Sequence, residues 1–259
     1  MATFLFDDII FGPVKSRRLG DSLGINLLPN DKKLCNFDCI YCECGWTDDM
    51  RTIRNAFHPA DTVIAQLEET LKFMHHRGAN LDVITYAGNG EPTMHPDFAF
   101  IADESIRLRN RYFPFAKIAV LSNGTMLHKS PVFQVLTRVD QNIQKLDSVF
   151  QETVQLINQP LGKFDVQKAI AHYKAFQGHV IIQTLFVRGT YQGKTVDNAT
   201  EQEIEAWLKT LKSIAPQSVM VYTIARDTPA KNLVKVPAEE LEAIAQRVRE
   251  AGMHVSVAS

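Results

Sequence analysis

The chain has 259 residues, of which 45% are hydrophobic, and this is enough for one large α/β domain with a buried core. Its formal net charge is -1, so composition gives no overall electrostatic attraction to nucleic acid or to a membrane surface. The longest apolar runs fall short of the ~20 residues that a membrane-spanning helix requires. The N-terminus carries acidic residues where a signal peptide carries basic ones. We therefore expect a cytoplasmic protein without a membrane segment.

Six apolar, β-rich runs alternate with amphipathic helical patterns along the chain. The six predicted strands are Leu23–Leu28, Asp82–Ala87, Lys117–Leu121, Asp140–Leu146, His179–Val187 and Ser218–Ile224. Helices are predicted over residues 61–78 and 237–251. Another helix follows the capping box that Thr200 forms with Glu203. A short strand over residues 254–258 ends the series.

This alternation predicts right-handed βαβ connections and a parallel sheet whose strands are covered on both faces. Six such units form either an open doubly wound sheet or a partial barrel, and periodicity does not separate the two. In both, functional side chains gather at the C-terminal ends of the strands. We expect a single domain over residues 1–259, in which residues 1–22 form an N-terminal extension.

All four cysteines lie within ten positions, in the stretch LCNFDCIYCECG over residues 34–45. Such clustering in a reducing compartment favours metal binding or catalysis over a disulfide framework. Thiolates from Cys35, Cys39 and Cys42 can hold three irons of a [4Fe-4S] cluster and leave the fourth iron open to a small molecule. A zinc site and a redox pair are alternatives because Cys39 and Cys42 have CxxC spacing, but neither explains Cys35.

Cys44 is a surplus thiol, separated from Cys42 by one residue. This spacing is awkward for two ligands of one cluster, so we expect that Cys44 does not bind iron. The alternative is that Cys44 is a fourth ligand, which would seal the cluster as in an electron carrier or an iron-sulfur sensor.

Polar residues follow the predicted strands at the end where ligands bind in parallel sheets. After the second strand comes AGNGEPTMHP over residues 87–96, whose glycines permit a close backbone approach and whose Glu91 carboxylate suits an ammonium group. The other strand ends carry Ser122, Asn123, Thr125, Lys145, Asp147, Gln183, Thr184, Tyr222, Thr223 and Arg226. A ring of such groups around one mouth predicts a ligand with many hydrogen-bonding groups.

Together these residues resemble the radical S-adenosylmethionine (SAM) superfamily. The spacing of the three cysteines, with Tyr41 before the last of them, resembles the cluster loop of that superfamily, and GNGEP at residues 88–92 resembles its GGEP motif. More narrowly, several segments resemble a bacterial and archaeal subgroup described as iron-sulfur oxidoreductases, related to wyosine synthases. These segments are GPVKSRRLGDSLGINLLP, CNFDCIYCECG, GNGEPTMHPDF, LSNGT, KLD and YTIAR.

The resemblance implies a radical SAM core, which is a partial (βα)6 TIM-like barrel with a parallel sheet and a [4Fe-4S] cluster at its mouth. SAM would chelate the open iron through its amino and carboxylate groups. Reduction of the cluster would cleave SAM to methionine and a 5′-deoxyadenosyl radical that takes hydrogen from a substrate. An electron donor such as a flavodoxin or a ferredoxin is implied as well.

The family's site residues carry over to matching positions of this chain. The iron ligands would be Cys35, Cys39 and Cys42. Tyr41 would lie near the adenine, whereas Gly90 and Glu91 would meet the methionine ammonium. Ser122 and Asn123 would contact the ribose or the carboxylate.

The remaining SAM contacts are implied on the last strands. Gln183 and the stretch from Tyr222 to Ile224 would line the nucleoside side, and Lys145 or Arg226 would neutralise the methionine carboxylate. Asn89 replaces a glycine of the family motif. Asparagine is tolerable at this position if its backbone is left-handed, a conformation that asparagine visits more readily than most residues.

The sequence leaves the substrate open. The relationship to wyosine synthases indicates a tRNA guanine, and the basic segment from Lys15 to Arg18 suits phosphate, but no cysteine precedes Cys35 to hold the second cluster expected of those enzymes. Activation of a glycyl-radical enzyme fits a compact chain with one cluster, and a small molecule or peptide is the third class. A non-catalytic electron-transfer or sensor protein is the alternative to an enzyme.

Overall fold

The computed structural model describes residues 4–16, 19–47 and 57–259. Its strands are β1 (Ile10–Ser16), β2 (Gly20–Ile25), β3 (Val83–Tyr86), β4 (Lys117–Ser122), β5 (Gln141–Lys145), β6 (Ile181–Tyr191), β7 (Lys194–Asp197), β8 (Ser218–Thr223), β9 (Leu233–Lys235) and β10 (Val255–Ala258). Its helices are α1 (Ala60–His76), α2 (Phe98–Tyr112), α3 (Ser130–Leu136), α4 (Gln151–Ile157), α5 (Val166–Ala175), α6 (Glu201–Ile214) and α7 (Ala238–Glu250), with a 3₁₀ helix at Pro92–Met94.

The strands form one sheet in the order β1-β2-β3-β4-β5-β6-β8-β10. Every neighbouring pair from β2 to β10 is parallel. The sheet curls into a half-barrel with helices between successive strands. Each of the six predicted strands overlaps an observed one, and β10 lies within the predicted terminal strand. The predicted partial barrel of parallel βα units is therefore confirmed.

Three strands outside the parallel series were not predicted. β1 lies in the predicted N-terminal extension and pairs antiparallel with β2 at one edge of the sheet. β7 and β9 both pair antiparallel with the far end of β6, beyond the barrel rim. The half-barrel thus carries a small antiparallel sheet next to its mouth.

The predicted helices are α1, α6 and α7. Thr200 caps α6 by accepting a hydrogen bond from the backbone N–H of Glu203 at 3.3 Å. The carboxylate of Glu203 does not complete a capping box, since it accepts instead from the hydroxyls of Ser148 at 2.7 Å and Thr153 at 2.6 Å. In the described ranges, none of the helices combines the length and the apolar character needed to cross a membrane.

The inner face of the half-barrel changes from apolar to polar along the strands. Its lower layer consists of Val83, Ala119, Ile143, Ile181 and Met220. Side chains two residues further along a strand point to the same face. These residues are Thr85, Leu121, Lys145, Gln183 and Tyr222. The apolar layer closes the bottom of the barrel, so a polar cavity is left at the mouth.

Candidate active site

The loop that carries the cysteines is joined to the turn after β3. Leu34 and Gly90 form an isolated parallel bridge. The N–H of Leu34 donates to the carbonyl of Asn89 at 2.7 Å, and the N–H of Glu91 donates to the carbonyl of Leu34 at 3.1 Å. The two family-like motifs, far apart in sequence, therefore lie side by side.

The middle of the same loop is tied to two other segments. The N–H of Ile40 donates to the carbonyl of Ile157 at 2.9 Å, and the carbonyl of Ile40 accepts from the N–H of Ala230 at 3.1 Å. The N–H of Asp38 donates to the carbonyl of Asn158 at 3.0 Å. Backbone hydrogen bonds thus tie the cysteine loop to the segments around Ile157 and Ala230.

All four thiols face one cavity of about 200 Å³ at the mouth of the barrel. Cys35 and Cys39 are buried, whereas Cys42 and Cys44 are half-buried, and all four are free thiols. The other sequence-predicted residues in its wall are Tyr41, Gly90, Glu91, Ser122, Asn123, Lys145, Gln183 and Tyr222. The fold therefore brings the cysteines and most of the predicted SAM contacts to one place.

The two remaining predicted residues, Ile224 and Arg226, line a second cavity of about 270 Å³. Tyr41, Cys42 and Tyr222 belong to the walls of both cavities. The two spaces therefore adjoin, and one elongated ligand can reach from the thiols to the end of β8.

Burial raises the pKa of the Cys35 and Cys39 thiols above the ordinary value. A hydrogen bond from Cys44 instead lowers the pKa of Cys42. The Cys44 thiol also lies 3.6 Å from the carbonyl of Gly88, to which it donates. Cys44 thus acts as a hydrogen-bond donor beside the three predicted ligands.

Three thiols around one cavity are a donor set that fits an iron-sulfur cluster, whose irons are held by cysteine thiolates. A single metal ion is a different case, because its ligands must converge on one point. Within residues 4–16, 19–47 and 57–259, no three His, Cys, Asp or Glu side chains are grouped so that they could hold one ion.

Glu91 is buried, and its carboxylate is fixed from two sides. One oxygen accepts from the backbone N–H of Asn123 at 2.7 Å, and the other accepts from the N–H and hydroxyl of Thr93. Burial raises the pKa of Glu91, although these hydrogen bonds act in the opposite direction. The side chain of Asn123 donates to Asn36 at 2.8 Å and lies 3.7 Å from the sulfur of Cys35. Glu91 and Cys35 are thus positioned by the same neighbour.

Lys145 belongs to a buried polar network beside Cys39. Its ammonium donates to the hydroxyl of Tyr41 at 2.8 Å and lies 3.5 Å from Asp147. Asp147 also accepts from the Tyr41 hydroxyl and from Asn158 at 2.7 Å, and Asn158 lies 3.5 Å from the Cys39 sulfur. Burial opposes the charge of Lys145, but Asp147 and other nearby groups outweigh it and raise the lysine pKa. The network holds a cation at the cavity wall.

Arg226 occupies a different environment at the rim. Its side chain is 57% exposed and pairs with Glu43 at 2.8 Å. Its guanidinium lies 4.7 Å from the ring centre of Phe4. The backbone N–H of Phe4 in turn donates to the carbonyl of Glu43 at 3.0 Å. Arg226 therefore ties the N-terminal segment to the cysteine loop.

Asn89 does not have a left-handed backbone, so the condition under which the sequence made asparagine tolerable there is not met. Its neighbours Gly88 and Gly90 have positive φ values of 155° and 145° and supply the unusual backbone instead. The Asn89 side chain donates to the carbonyls of Phe6 at 3.0 Å and Pro29 at 2.8 Å, and accepts from the N–H of Phe6 at 2.8 Å. It anchors the N-terminal segment.

Sequence reasoning missed Lys33 and Asn158 as site residues. Lys33 is buried in the wall of the thiol cavity, where lysine is unusual. Burial opposes its charge, but the cysteines and Asp38 outweigh burial and raise its pKa. Its position two residues before Cys35 is a signal that could have found it. Asn158 follows α4, more than a hundred residues away, and no local pattern marks it.

The similarities of this chain to known proteins are consistent with the arrangement of the cysteine site. The family model of the Radical SAM superfamily matches residues 32–194. A Brachyspira hyodysenteriae protein named GTPase Obg is 29% identical over 237 residues, which are 90% of this chain but 32% of that protein. This chain thus spans about a third of that relative's length.

Two further similarities extend over most of the chain. A UPF0026 protein of Helicobacter pylori strain J99 is 30% identical over 227 residues, or 86% of this chain and 68% of that protein. The crystal structure of a radical SAM methyltransferase from Sphaerobacter thermophilus has a TM-score of 0.66 at 16% identity, covering 92% of this chain and 66% of that one. The match to the family model includes more than half of the residues, and the chain therefore belongs to the radical SAM superfamily.

Proposed function

We propose that this chain is a radical SAM enzyme that holds a [4Fe-4S] cluster on Cys35, Cys39 and Cys42. The observation that carries the proposal is the arrangement of three thiols on one cavity that adjoins a second, ligand-sized space. When bound, the cluster supplies the electron that cleaves SAM to methionine and a 5′-deoxyadenosyl radical, which then takes a hydrogen atom from the substrate.

At the methionine end, Glu91 and Lys145 provide charges of opposite sign. Both line the thiol cavity; Glu91 is buried, Lys145 is half-buried, and each is held by fixed neighbours. Glu91 binds the ammonium group and Lys145 binds the carboxylate, because buried charges pair strongly where water is excluded. Arg226 is the less suitable partner for the carboxylate, since it lies at the rim and already pairs with Glu43.

The adenosine half of SAM occupies the second cavity in this proposal. Tyr222 and Ile224 offer apolar surface there, and Tyr41 forms the boundary between the two spaces. The Tyr41 hydroxyl donates to Asp147, so its ring is held in place at this boundary. Ser122, Asn123 and Gln183 remain in the wall of the thiol cavity, within reach of the carboxylate or ribose.

We also propose that residues 1–259 form a single radical SAM core domain. The pairing of β1 with β2 supports this, because it joins the N-terminal extension to the main sheet. The proposed boundary at residue 22 falls inside β2, so the extension and the core share a strand.

The proposal is tested by electron paramagnetic resonance of anaerobically reconstituted, reduced protein with and without SAM. We expect a [4Fe-4S]⁺ signal that changes shape when SAM is added, because the fourth iron gains a ligand. The same change should be absent in a variant without the three cysteines. If a fully assembled cluster gave the same signal with saturating SAM as without SAM, this result would contradict the proposal of an open iron.

A binding experiment separates tRNA from the other substrate classes. Phosphate contacts make affinity fall steeply with salt, so titration of bulk tRNA across a salt series reveals them. Lys15 lies on the exposed edge strand β1, whereas Arg17 and Arg18 of the basic segment lie outside the described residues. Salt-dependent tRNA binding would favour the wyosine-synthase-like reaction. If tRNA does not bind in this way, the remaining candidate substrates are a glycyl-radical enzyme, a peptide and a small molecule.

A further inference from the structure

Lys33 is a buried cation at the entrance of the cysteine loop. Its side chain is 1% exposed and lies in the wall of the cavity that contains all four thiols. A lysine in such a position is unfavourable unless its charge is compensated by neighbours, so the contacts of its ammonium define its role.

The ammonium of Lys33 joins distant parts of the loop. It donates to the carboxylate of Asp38 at 3.1 Å and to the carbonyl of Gly45 at 2.9 Å. The same Asp38 oxygen accepts from the N–H of Thr47 at 2.7 Å. Lys33 therefore closes the loop, since it stands before the first cysteine and binds the residue after the last.

Lys33 and Lys145 differ in the burial of their carboxylate partners. Lys145 lies beside Asp147, whose side chain is completely buried, so the two opposite charges share one low-dielectric region. The partner of Lys33 is Asp38, whose side chain is 18% exposed and is therefore partly screened by water. The Lys33 ammonium is thus more deeply buried than its partner, and it shares the wall of one cavity with the thiols.

A cluster bound by three thiolates needs such a charge. The thiolates outweigh the positive charge of the oxidised cluster core, and reduction adds one more negative charge to the same buried space. Net charge and hydrogen bonding around the sulfurs are among the factors that set cluster potentials.

We propose that Lys33 is the charge-compensating residue of the cysteine loop, and that its ammonium makes the bound cluster easier to reduce. The inference rests on the proposed function, because it requires the cluster. It adds a determinant of the reduction step that lies outside the three-cysteine motif and outside the predicted SAM contacts.

The test uses reconstituted protein with Lys33→Gln, Lys33→Arg or Lys33→Met. Glutamine keeps a donor for Gly45 but loses the charge, arginine keeps the charge, and methionine loses both. Iron content, thermal unfolding and the midpoint potential from a redox titration are measured for each. Lys32→Gln is the matched control, because Lys32 is the adjacent lysine, and it is only partly buried.

We expect Lys33→Gln and Lys33→Met to shift the midpoint to a more negative potential. The expected shift is about 59 mV, which for one electron is a tenfold change in the reduction equilibrium. Lys33→Arg and Lys32→Gln should stay near the wild-type value. The inference is overturned if Lys33→Gln binds a full cluster whose midpoint potential equals that of the wild type. It is also overturned if Lys33→Arg shifts the midpoint potential as much as Lys33→Gln does. A wild-type protein that takes up no cluster would overturn the proposed function itself, which distinguishes that failure from one confined to Lys33.

Discussion

Gly90 lies directly against the backbone carbonyl of Leu34. A Cβ atom added at Gly90 would overlap that oxygen, and the φ of Gly90, 145°, is one that other residues rarely adopt. The contact places Cys35, which follows Leu34, in the wall of the same cavity as Glu91, which follows Gly90. The motif glycine is thus required for the junction of two chain segments as well as for access of a ligand.

Gly90→Ala should destabilise the protein by roughly 2–4 kcal/mol, because the added methyl group both overlaps Leu34 and strains the backbone. The free energy of unfolding from chemical denaturation measures this. Gly162→Ala is the control, since a Cβ there meets nothing within 4 Å, and we expect a change within about 0.5 kcal/mol. Equal stabilities of the two variants would show that the Leu34 contact is not as close as described.

Asn89→Gly should also destabilise the protein, even though it restores the glycine of the family motif. The change removes two hydrogen bonds to Phe6 and one to Pro29, each worth about 0.5–1.5 kcal/mol. A double-mutant cycle with deletion of residues 1–6 checks the cause. Part of the loss should disappear in the shortened chain, and a fully additive cycle would contradict the anchoring role of Asn89.

Asp147→Asn should reduce stability by about 3–5 kcal/mol, because the Asp147 carboxylate is fully buried and its loss leaves the half-buried Lys145 ammonium without its partner. Asp103→Asn is a suitable comparison, since Asp103 pairs with Arg138 on the surface with both side chains 49% exposed. We expect that exposed pair to contribute less than about 1 kcal/mol. Thermal and chemical unfolding of both variants measure the difference, and comparable losses would mean that the Lys145 network is solvated.

Cys44→Ala should retain the iron and sulfide content of the wild type, whereas Cys35→Ala should lose most of it. The reason is that the Cys44 thiol donates to the carbonyl of Gly88, as a neighbour of the proposed ligands. Iron analysis and visible absorption after anaerobic reconstitution provide the measurement. The opposite pattern, with the cluster lost only on removal of Cys44, would favour an electron carrier or sensor over a radical enzyme.

The parallel core was predictable because its strands are buried on both faces and read as continuous apolar runs. β1 was not predictable, because its sequence IFGPVKS contains glycine and proline. Most of its residues are also exposed, at an edge of the sheet. β7 and β9 are short, with four and three residues, and two residues of each are exposed. The turn between β6 and β7 has positive φ at both Gln192 and Gly193, but only the glycine is a typical residue for such a turn.

At the site, local spacing identified the cysteines, and the position of residues after strands identified most of the cavity wall. Long-range contacts were not accessible in this way. Asn158 reaches Cys39 and Asp147 from a segment with no recognisable motif, and Asn89 bonds to Phe6 across 83 positions. Lys33 was overlooked because a lysine next to another lysine reads as surface charge, whereas the folded loop buries it.

The most direct test of the central claim is the formation of 5′-deoxyadenosine by anaerobically reconstituted protein supplied with SAM and a strong reductant. We expect the product in the wild type and in Cys44→Ala, and none in a variant with Cys35, Cys39 and Cys42 changed to alanine. The absence of product from wild-type protein with a spectroscopically intact, reduced cluster would contradict the assignment as a radical SAM enzyme.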